Sequence, residues 1–150
     1  MADQPDPRRH APATGRNQAP ILAVLKDVLP RTGLLLEIAS GTGEHAAFMA
    51  PRLWPTLTWQ PSDADPSTLP GIDAHARASA ATNIAGAVLL DAASDEWPVH
   101  RATAIFAANL VHIAPWPVAQ GLMRGAGRVL PSGGRLVLYG PFRRHGAHTA

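Results

Sequence analysis

The chain has 150 residues, a formal net charge of +2 and no cysteine. That length suits one compact domain, which would bury roughly 70% of the surface that the unfolded chain exposes. The lack of cysteine excludes disulfide scaffolds, thiolate nucleophiles and cysteine-ligated metal sites. Because 46% of the residues are hydrophobic and 16% are charged, with no apolar run of about 20 residues, we expect a globular domain without a membrane span.

The basic residues give only a weak signal for nucleic-acid binding. Of these 13 residues, 12 are arginines, and they are scattered except for Arg8-Arg9 and Arg143-Arg144. Scattered charge is typical of a solvated surface rather than of a stripe that follows phosphates. The first residues hold no apolar segment of the kind that a signal peptide needs. We therefore expect a cytoplasmic protein without a nucleic-acid partner.

Proline, glycine and apolar spacing predict the amino-terminal elements. Residues 1–15 hold three prolines and few apolar side chains, which predicts a flexible arm. Apolar residues recur at helical spacing from Asn17 until Pro30, which predicts the first helix. Residues 34–39 form a short apolar run typical of a buried strand, and a helix-like stretch at 44–53 follows the turn after it.

The alternation of strand and helix continues along the rest of the chain. The further predicted elements are strand two at 57–60, a helix near 67–79, strand three at 87–90, strand four at 103–108, an amphipathic helix at 118–130 and strand five at 136–139. Alternating elements indicate a parallel sheet with right-handed crossovers. We predict a Rossmann-like, doubly wound α/β domain at 16–142, with strand order 3-2-1-4-5 and a tail at 143–150.

The segment from Glu37 to Gly43 lies at the predicted end of strand one. In a doubly wound sheet, ligands bind beyond the carboxyl ends of the strands. Gly41 and Gly43 permit positive φ angles and a close approach to a ligand, and the N–H groups that open the next helix favour a negative group. This segment therefore predicts a ligand-binding turn.

Two ligand classes compete for this turn. Gly41, Gly43 and Ala46 fit the dinucleotide pattern G-x-G-x-x-A, and Asp63 follows at the spacing expected for a ribose contact. Glu37 argues against a dinucleotide, because a carboxylate at the strand end would repel a pyrophosphate. The same carboxylate suits S-adenosylmethionine, which carries an ammonium and a sulfonium but no phosphate. The pattern favours S-adenosylmethionine and leaves an NAD-binding oxidoreductase as an alternative.

These residues resemble a known family motif. Glu37-x-Ala39-x-Gly41-x-Gly43 is similar to motif I of the class I S-adenosylmethionine-dependent methyltransferases, with Ala39 where many members have a glycine. Asp63 resembles the acidic end of their second strand. Further phrases across residues 10–148 resemble the methyltransferase-like protein 26 family: Ala11-Pro12-Ala13, Arg16-Asn17, LEIASGTGEHA, WQPSDAD, Asn109 to Ile113 and Tyr139-Gly140-Pro141-Phe142. The resemblance implies a methyltransferase whose methyl acceptor is unknown.

The resemblance also implies a role for each matching residue. Glu37 would hold the ammonium group of the donor, and Asp63 would accept both ribose hydroxyls. Asp91 would accept the adenine amino group, and Asn109 would lie beside the reactive end. Asp63 also fits an Asx turn before Pro66, and Asp91 also fits a cap for the segment after it. The backbone of the other motif residues would cradle the methionine portion: Ala39, Ser40, Gly41, Thr42 and Gly43.

His112 is a candidate catalytic base, because it follows Asn109 at the mouth of strand four and imidazole titrates near neutral pH. Its apolar neighbours are more often found around a packed, hydrogen-bonded histidine. Pro115 and Trp116 fit either a wall of the acceptor pocket or packing in the core. The remaining histidines show no metal-ligand spacing, so we expect no metal site.

Two features depart from the family pattern. Thr103 opens strand four where we expect an aspartate, which removes a charge near the predicted site. The chain also ends soon after strand five, so that strands 6 and 7 of the class I fold are missing. An apolar edge at 136–138 would then stay unpaired, which fits a truncated reading frame, a piece of a longer chain, or completion by a partner or by homodimerisation. A non-catalytic S-adenosylmethionine-binding scaffold is therefore an alternative to an active methyltransferase.

Overall fold

The computed structural model describes residues 5–110 and 114–140, together with two short strands at 143–144 and 147–148. The helices are α1 (Pro12–Val28), α2 (Glu44–Met49), α3 (Leu69–Ala78) and α4 (Trp116–Val129), with 3-10 turns at Ala50–Arg52 and Pro66–Thr68. The strands are β1 (Gly33–Glu37), β2 (Leu57–Gln60), β3 (Ser62–Asp63), β4 (Val88–Leu89), β5 (Ala104–Ala108), β6 (Arg135–Tyr139), β7 (Arg143–Arg144) and β8 (Ala147–His148).

Four parallel strands form the main sheet in the order β2-β1-β5-β6. β3 continues β2 beyond Pro61 and pairs in parallel with β4, and a bridge between Trp59 and Ile84 extends this pairing along β2. The predicted strands one to five correspond to β1, β2 with β3, β4, β5 and β6. The Rossmann-like, mainly parallel α/β class is confirmed. The order 3-2-1-4-5 holds with one difference, since strand three pairs with β3 as a separate two-stranded sheet.

Alternate residues of the central strands face two separate cores. On one side of the sheet, Leu35 and Phe106 pack against α1 and α2. On the other side, Leu36 and Ile105 pack against α4. All four side chains are fully buried, and burial of one large apolar side chain stabilises the fold by about 1.5–3 kcal/mol. β1 and β5 are thus covered on both faces, which explains why their sequences are continuous apolar runs.

The first helix begins earlier than the sequence predicts. α1 starts at Pro12, which suits a first helical turn because its missing N–H needs no partner there. Apolar spacing gives no signal for residues 12–16, since the contact that anchors this turn is tertiary. The Ala11 N–H donates to a carboxylate oxygen of Glu44 at 2.7 Å. The predicted domain boundaries after residues 15 and 142 stay predictions.

Thr103 lies at the amino end of the sheet, so the expectation that it stands near the site is wrong. Its hydroxyl accepts the Leu34 N–H at 2.8 Å and donates to the Leu34 carbonyl at 2.9 Å. These two bonds connect the segment before β5 to the start of β1. Glu37 ends β1, whereas Leu34 is its second residue, so a charge at position 103 would stand at the opposite end of β1 from the predicted site.

Three further expectations concern what the chain contains or contacts. Within the described part of the chain, no helix is both long and apolar enough to span a bilayer. The same residues include no cluster of three or more His, Asp or Glu side chains that could hold a metal ion. β6 pairs with β5, and among the described residues its other edge has no strand partner. The predicted homodimer through that edge stays a prediction.

Candidate functional site

Backbone strain marks the carboxyl end of the sheet. In the described part of the chain, two residues other than glycine have positive φ angles: Ala39 at 57° and Asn109 at 60°. Ala39 follows β1, and Asn109 directly follows β5, the neighbouring strand. A left-handed conformation costs a residue such as alanine roughly 1–2 kcal/mol, asparagine tolerates it better, and such strain is concentrated at functional sites. The strained residues therefore lie where the sequence motif predicts a ligand.

Gly41 and Gly43 shape the turn after β1 in different ways. Their φ angles are 60° and 85°. A Cβ on Gly43 would lie 2.7 Å from Ile72 Cα, so this glycine lets α3 pack directly against the turn. A Cβ on Gly41 would meet no atom within 4 Å. The turn is therefore tightly packed on the α3 side and open at Gly41, which leaves room for a ligand to approach the backbone.

Glu37 ends β1 and is almost fully buried, with 2% of its surface exposed. Its Oε1 accepts hydrogen bonds from Ser40 Oγ at 2.7 Å and from Trp59 Nε1 at 3.0 Å. Burial raises the pKa of Glu37 to about 7, and the two hydrogen bonds oppose this rise. No described residue donates to Oε2. This carboxyl group therefore has one oxygen available for a ligand, and a ligand cation would favour its ionised form.

Trp59 and Ser62 support Glu37, although neither belongs to the site predicted from the sequence. Ser62 donates its hydroxyl to the Glu37 carbonyl at 2.6 Å, while its N–H donates to Ser40 Oγ at 3.0 Å. Both residues are buried. The predicted parallel pairing of strands one and two could have indicated both residues, because such pairing places the carboxyl ends of β1 and β2 side by side.

Asp63 ends β3 beside the turn. Its Oδ2 accepts the Gly41 N–H at 2.9 Å, and its Oδ1 accepts the Asp65 N–H at 3.0 Å. The local Asx turn that was an alternative for Asp63 is therefore present. Each oxygen of a carboxylate has two acceptor positions, so both oxygens can still accept a hydroxyl. The structure thus brings Asp63 and the glycine turn together and gives this carboxylate a structural task as well.

The backbone N–H groups of the turn are largely used within the protein. A phosphate cradle needs several free N–H groups that point toward the ligand. This turn offers few, and the carboxylates of Glu37 and Asp63 stand beside it. The geometry therefore argues against a pyrophosphate and against the dinucleotide alternative. The four engaged donors are Ser40 N–H to the Ser62 carbonyl, Gly41 N–H to Asp63, Gly43 N–H to the Ser40 carbonyl and Glu44 N–H to the Thr42 hydroxyl.

Asp91 lies two residues beyond β4, close in the fold to the end of β3. The Leu90 N–H donates to the Asp63 carbonyl at 2.9 Å, which ties the two segments together. Asp91 Oδ1 accepts the Ala93 N–H at 2.9 Å, so the capping role predicted as an alternative is present. No described residue donates to Asp91 Oδ2. The Asp91 side chain is exposed and retains one oxygen for a ligand.

The segment after β5 holds the other predicted residues. The Asn109 N–H donates to the Tyr139 carbonyl at 2.7 Å, which fixes the backbone where its φ angle is positive. His112 lies outside the described residues, so its candidacy as a base stays a prediction. Trp116 is 71% exposed at the start of α4. The core-packing interpretation of Trp116 is therefore wrong.

Two cavities lie at the opposite, amino end of the strands. Their volumes are about 700 Å³ and 540 Å³, and both are lined by Arg128 and Val129 at the end of α4. The larger one also contacts Asp95 and Glu96, whose side chains are exposed. Neither cavity is lined by Glu37, Asp63 or the glycine turn. They are therefore separate from the candidate site.

Solved structures share this fold. CurJ carbon methyltransferase is 25% identical, with a TM-score of 0.66 and a match that covers 88% of this chain and 39% of that one. TrmN from Thermus thermophilus is 27% identical, with a TM-score of 0.66 and coverage of 80% and 36%. CalO1, a methyltransferase in calicheamicin biosynthesis in its SAH-bound form, is 19% identical, with a TM-score of 0.66 and coverage of 89% and 38%. The chain spans less than two fifths of the length of each.

These likenesses define the class of the fold. The chain has the fold of the class I S-adenosylmethionine-dependent methyltransferases. Its candidate site lies at the carboxyl ends of the parallel strands, where ligands bind in doubly wound sheets. A family model described as a protein of unknown function (DUF938) matches residues 8–150. The chain therefore belongs to the DUF938 family.

Proposed function

We propose that this chain binds S-adenosylmethionine at the carboxyl ends of β1, β3 and β5 and transfers its methyl group, as a relative of the methyltransferase-like protein 26 family. Glu37 carries the proposal. Its carboxyl group is buried at the end of β1, next to the glycine turn, with a raised pKa and with no described donor to Oε2. An ammonium group is attracted to the ionised form of such a group, whereas a pyrophosphate is repelled. CalO1, which has this fold in an SAH-bound form, adds support.

The residues of the site fit this cofactor at several points. Glu37 Oε2 would accept from the ammonium group, and the open space at Gly41 would admit the methionine portion. Asp63 would accept the ribose hydroxyls with its remaining acceptor positions. Asp91 Oδ2 would accept the adenine amino group. Asn109 would lie beside the reactive end of the cofactor.

S-adenosylmethionine supplies a methyl group that its positive sulfur has already activated, so the main task of the chain is positioning. Glu37 and Asp63 would bind the donor at two points and fix its orientation. Trp116 would offer an exposed aromatic face to the acceptor. His112 would take a proton from an acceptor whose nucleophile carries one. The site does not by itself select an acceptor class.

Calorimetric titration tests cofactor binding. We expect S-adenosylmethionine and S-adenosylhomocysteine to bind with micromolar affinity and NAD to give no binding heat. Asp63→Ala should weaken S-adenosylhomocysteine binding by about 10-fold to 100-fold, since hydrogen bonds to a charged group contribute roughly 1.5–3 kcal/mol. Asp27→Ala, which removes an exposed carboxylate on α1, is the matched control and should bind as the wild type does. Binding of NAD without binding of S-adenosylhomocysteine would contradict the proposal.

Methyl transfer needs a separate product assay. We expect S-adenosylhomocysteine to form from S-adenosylmethionine when a suitable acceptor is present. The assay distinguishes a methyltransferase from the non-catalytic scaffold, which binds the same cofactor through the same residues. Tight binding without product on a broad panel of small-molecule and protein acceptors would favour the scaffold.

A further inference from the structure

Residues 6–11, called the strap below, lie across α3 and the start of α2. His75 Nε2 lies 2.7 Å from the Arg9 carbonyl oxygen, and because a carbonyl only accepts, this nitrogen carries the hydrogen. The Arg9 guanidinium donates to the Ser67 carbonyl at 3.2 Å. The rings of His10 and His75 meet edge to face, with centroids 5.2 Å apart. Several independent contacts therefore hold the strap.

Glu44 anchors the end of the strap nearest to α1. Its Oε1 accepts the Ala11 N–H at 2.7 Å, and its Oε2 lies 3.5 Å from His10 Nδ1. Burial on its own would raise the pKa of Glu44, but hydrogen bonds with Ala11, Thr42 and His10 outweigh it, so this pKa lies below its usual value. The carboxylate is therefore ionised at neutral pH. Glu44 directly follows Gly43, the last residue of the glycine turn after β1, which is called the ligand turn from here on. The strap therefore contacts the residue next to the ligand turn.

The strap and the ligand turn also pack against adjacent residues of α3. A Cβ on Gly71 would lie 2.6 Å from the Pro7 carbonyl oxygen, and a Cβ on Gly43 would lie 2.7 Å from Ile72 Cα. Both are contacts with backbone atoms, which cannot be relieved by rotating a side chain. Gly71 and Ile72 therefore form one layer, with the strap packed against Gly71 and the ligand turn packed against Ile72.

We propose that the strap is part of the cofactor site: docking of the strap holds α3 against the ligand turn, and bound cofactor stabilises the docked strap. This inference rests on the proposed function. When the strap leaves α3, Glu44 and Gly71 lose their contacts with it. The segment of α3 at Gly71 and Ile72, which packs against Gly43, is then exposed on the side that the strap covered. Thermodynamic linkage makes the effect reciprocal, so any gain in cofactor affinity from docking equals the gain in docking from the cofactor.

Gly71→Ala tests the inference without altering a group assigned to the cofactor. The new methyl group displaces the Pro7 carbonyl, while alanine favours the helix by about 1 kcal/mol, so the fold is retained. Gly127→Ala in α4 is the matched control, because a Cβ there would meet no atom within 4 Å. His75→Ala is a second variant that removes the bond to the Arg9 carbonyl without adding bulk.

Trypsin reports on the strap, because Arg8 and Arg9 lie within it. In the wild type and in Gly127→Ala, we expect saturating S-adenosylhomocysteine to slow cleavage after these arginines by about fivefold or more. In Gly71→Ala and His75→Ala, we expect faster cleavage without ligand and weaker protection with it. Calorimetry should show S-adenosylhomocysteine affinity about fivefold lower or more in Gly71→Ala than in Gly127→Ala.

The possible results separate the strap from the cofactor. Equal S-adenosylhomocysteine affinity in the wild type, Gly71→Ala and His75→Ala would contradict the coupling between strap docking and cofactor binding. The proposed function would be unaffected. If S-adenosylhomocysteine binds to the wild type but does not slow cleavage of the strap, the coupling is also contradicted. No binding by the wild type would overturn the proposed function, and with it the coupling, whatever the cleavage rates are.

Discussion

The two ends of the parallel sheet differ in how their backbone and polar groups are satisfied. At the amino end, the Thr103 hydroxyl both accepts from and donates to Leu34, and a glycine at position 33 takes the positive φ angle of 105°. At the carboxyl end, Ala39 and Asn109 take positive φ angles without being glycines. The same end holds a buried carboxyl group with one oxygen to which no described residue donates a hydrogen bond.

This difference separates stability from binding. Groups at the amino end have partners within the protein and residue types that suit their conformation, so changes there should lower stability and leave ligand affinity intact. The carboxyl end retains strain and a buried ionisable group, which both reduce stability. Relief of the strain at Ala39 or removal of the ionisable group of Glu37 should therefore raise stability, and loss of the Glu37 carboxylate should also weaken binding. This opposite behaviour is what the following substitutions measure.

The largest expected effect is that of Glu37→Gln on the pH dependence of stability. The pKa of Glu37 is about 7 in the folded chain, above its usual value of 4.5, so folding favours the protonated form. The stability that this group contributes is fully present below pH 4.5 and is lost as the pH rises through 7. Relative to the wild type, Glu37→Gln should therefore gain about 3 kcal/mol in free energy of unfolding between pH 4.5 and 8. Urea unfolding followed by circular dichroism at both pH values measures it, and parallel curves for the two proteins would contradict it.

A smaller loss of stability is expected for Gly33→Ala at the amino end. The new Cβ would lie 2.4 Å from Thr103 Oγ1, at a φ angle that alanine disfavours, so the free energy of unfolding should fall by about 2 kcal/mol. Gly133→Ala is the matched control, because its φ angle is also positive but a Cβ there would meet no atom within 4 Å. A loss as large in Gly133→Ala would mean that the Thr103 contact contributes nothing. S-adenosylhomocysteine affinity should stay within about twofold of the wild type in both variants.

The smallest expected effect is a gain of stability from Ala39→Gly at the carboxyl end. Relief of roughly 1–2 kcal/mol of backbone strain exceeds the roughly 0.4–1 kcal/mol that glycine adds to the entropy of the unfolded chain, so the net gain should be about 0.5 kcal/mol. Ala76→Gly, in the interior of α3, should instead lose about 1 kcal/mol. Thermal unfolding of both variants checks the pair, and a loss in Ala39→Gly would show that position 39 is not strained.

The sequence predicted the central strands because burial on both faces leaves a direct signal. Leu34, Leu35 and Leu36 form an apolar run before a glycine turn, and the structure makes this run β1. The start of α1 left no such signal, because its first turn depends on a bond between Ala11 and Glu44, which are far apart in the chain. Local periodicity reports which face is buried and not which distant group completes a cap.

The site was predictable in its residue types and less so in its bonding. The motif correctly indicated that Glu37 and Asp63 lie beside one glycine turn. It did not indicate that Asp63 accepts the Gly41 N–H, or that Trp59 and Ser40 share one oxygen of Glu37. These bonds depend on the parallel register of β1 and β2, which a pattern of residue types does not specify. Thr103 was misplaced for a different reason: ligands bind beyond the carboxyl ends of parallel strands, and a residue that opens strand four lies at the opposite end.

Because the pKa of Glu37 is raised, cofactor binding should release protons to the solution in a measurable amount. At pH 7, a carboxyl group with a pKa of about 7 holds a proton about half of the time. An ammonium ligand at Oε2 would require the ionised form, so each binding event would release about half a proton to the solution. The heat measured on binding would then vary with the ionisation enthalpy of the buffer. In Glu37→Gln the heat of binding would be the same in every buffer. The difference between the two proteins would therefore assign the released proton to Glu37.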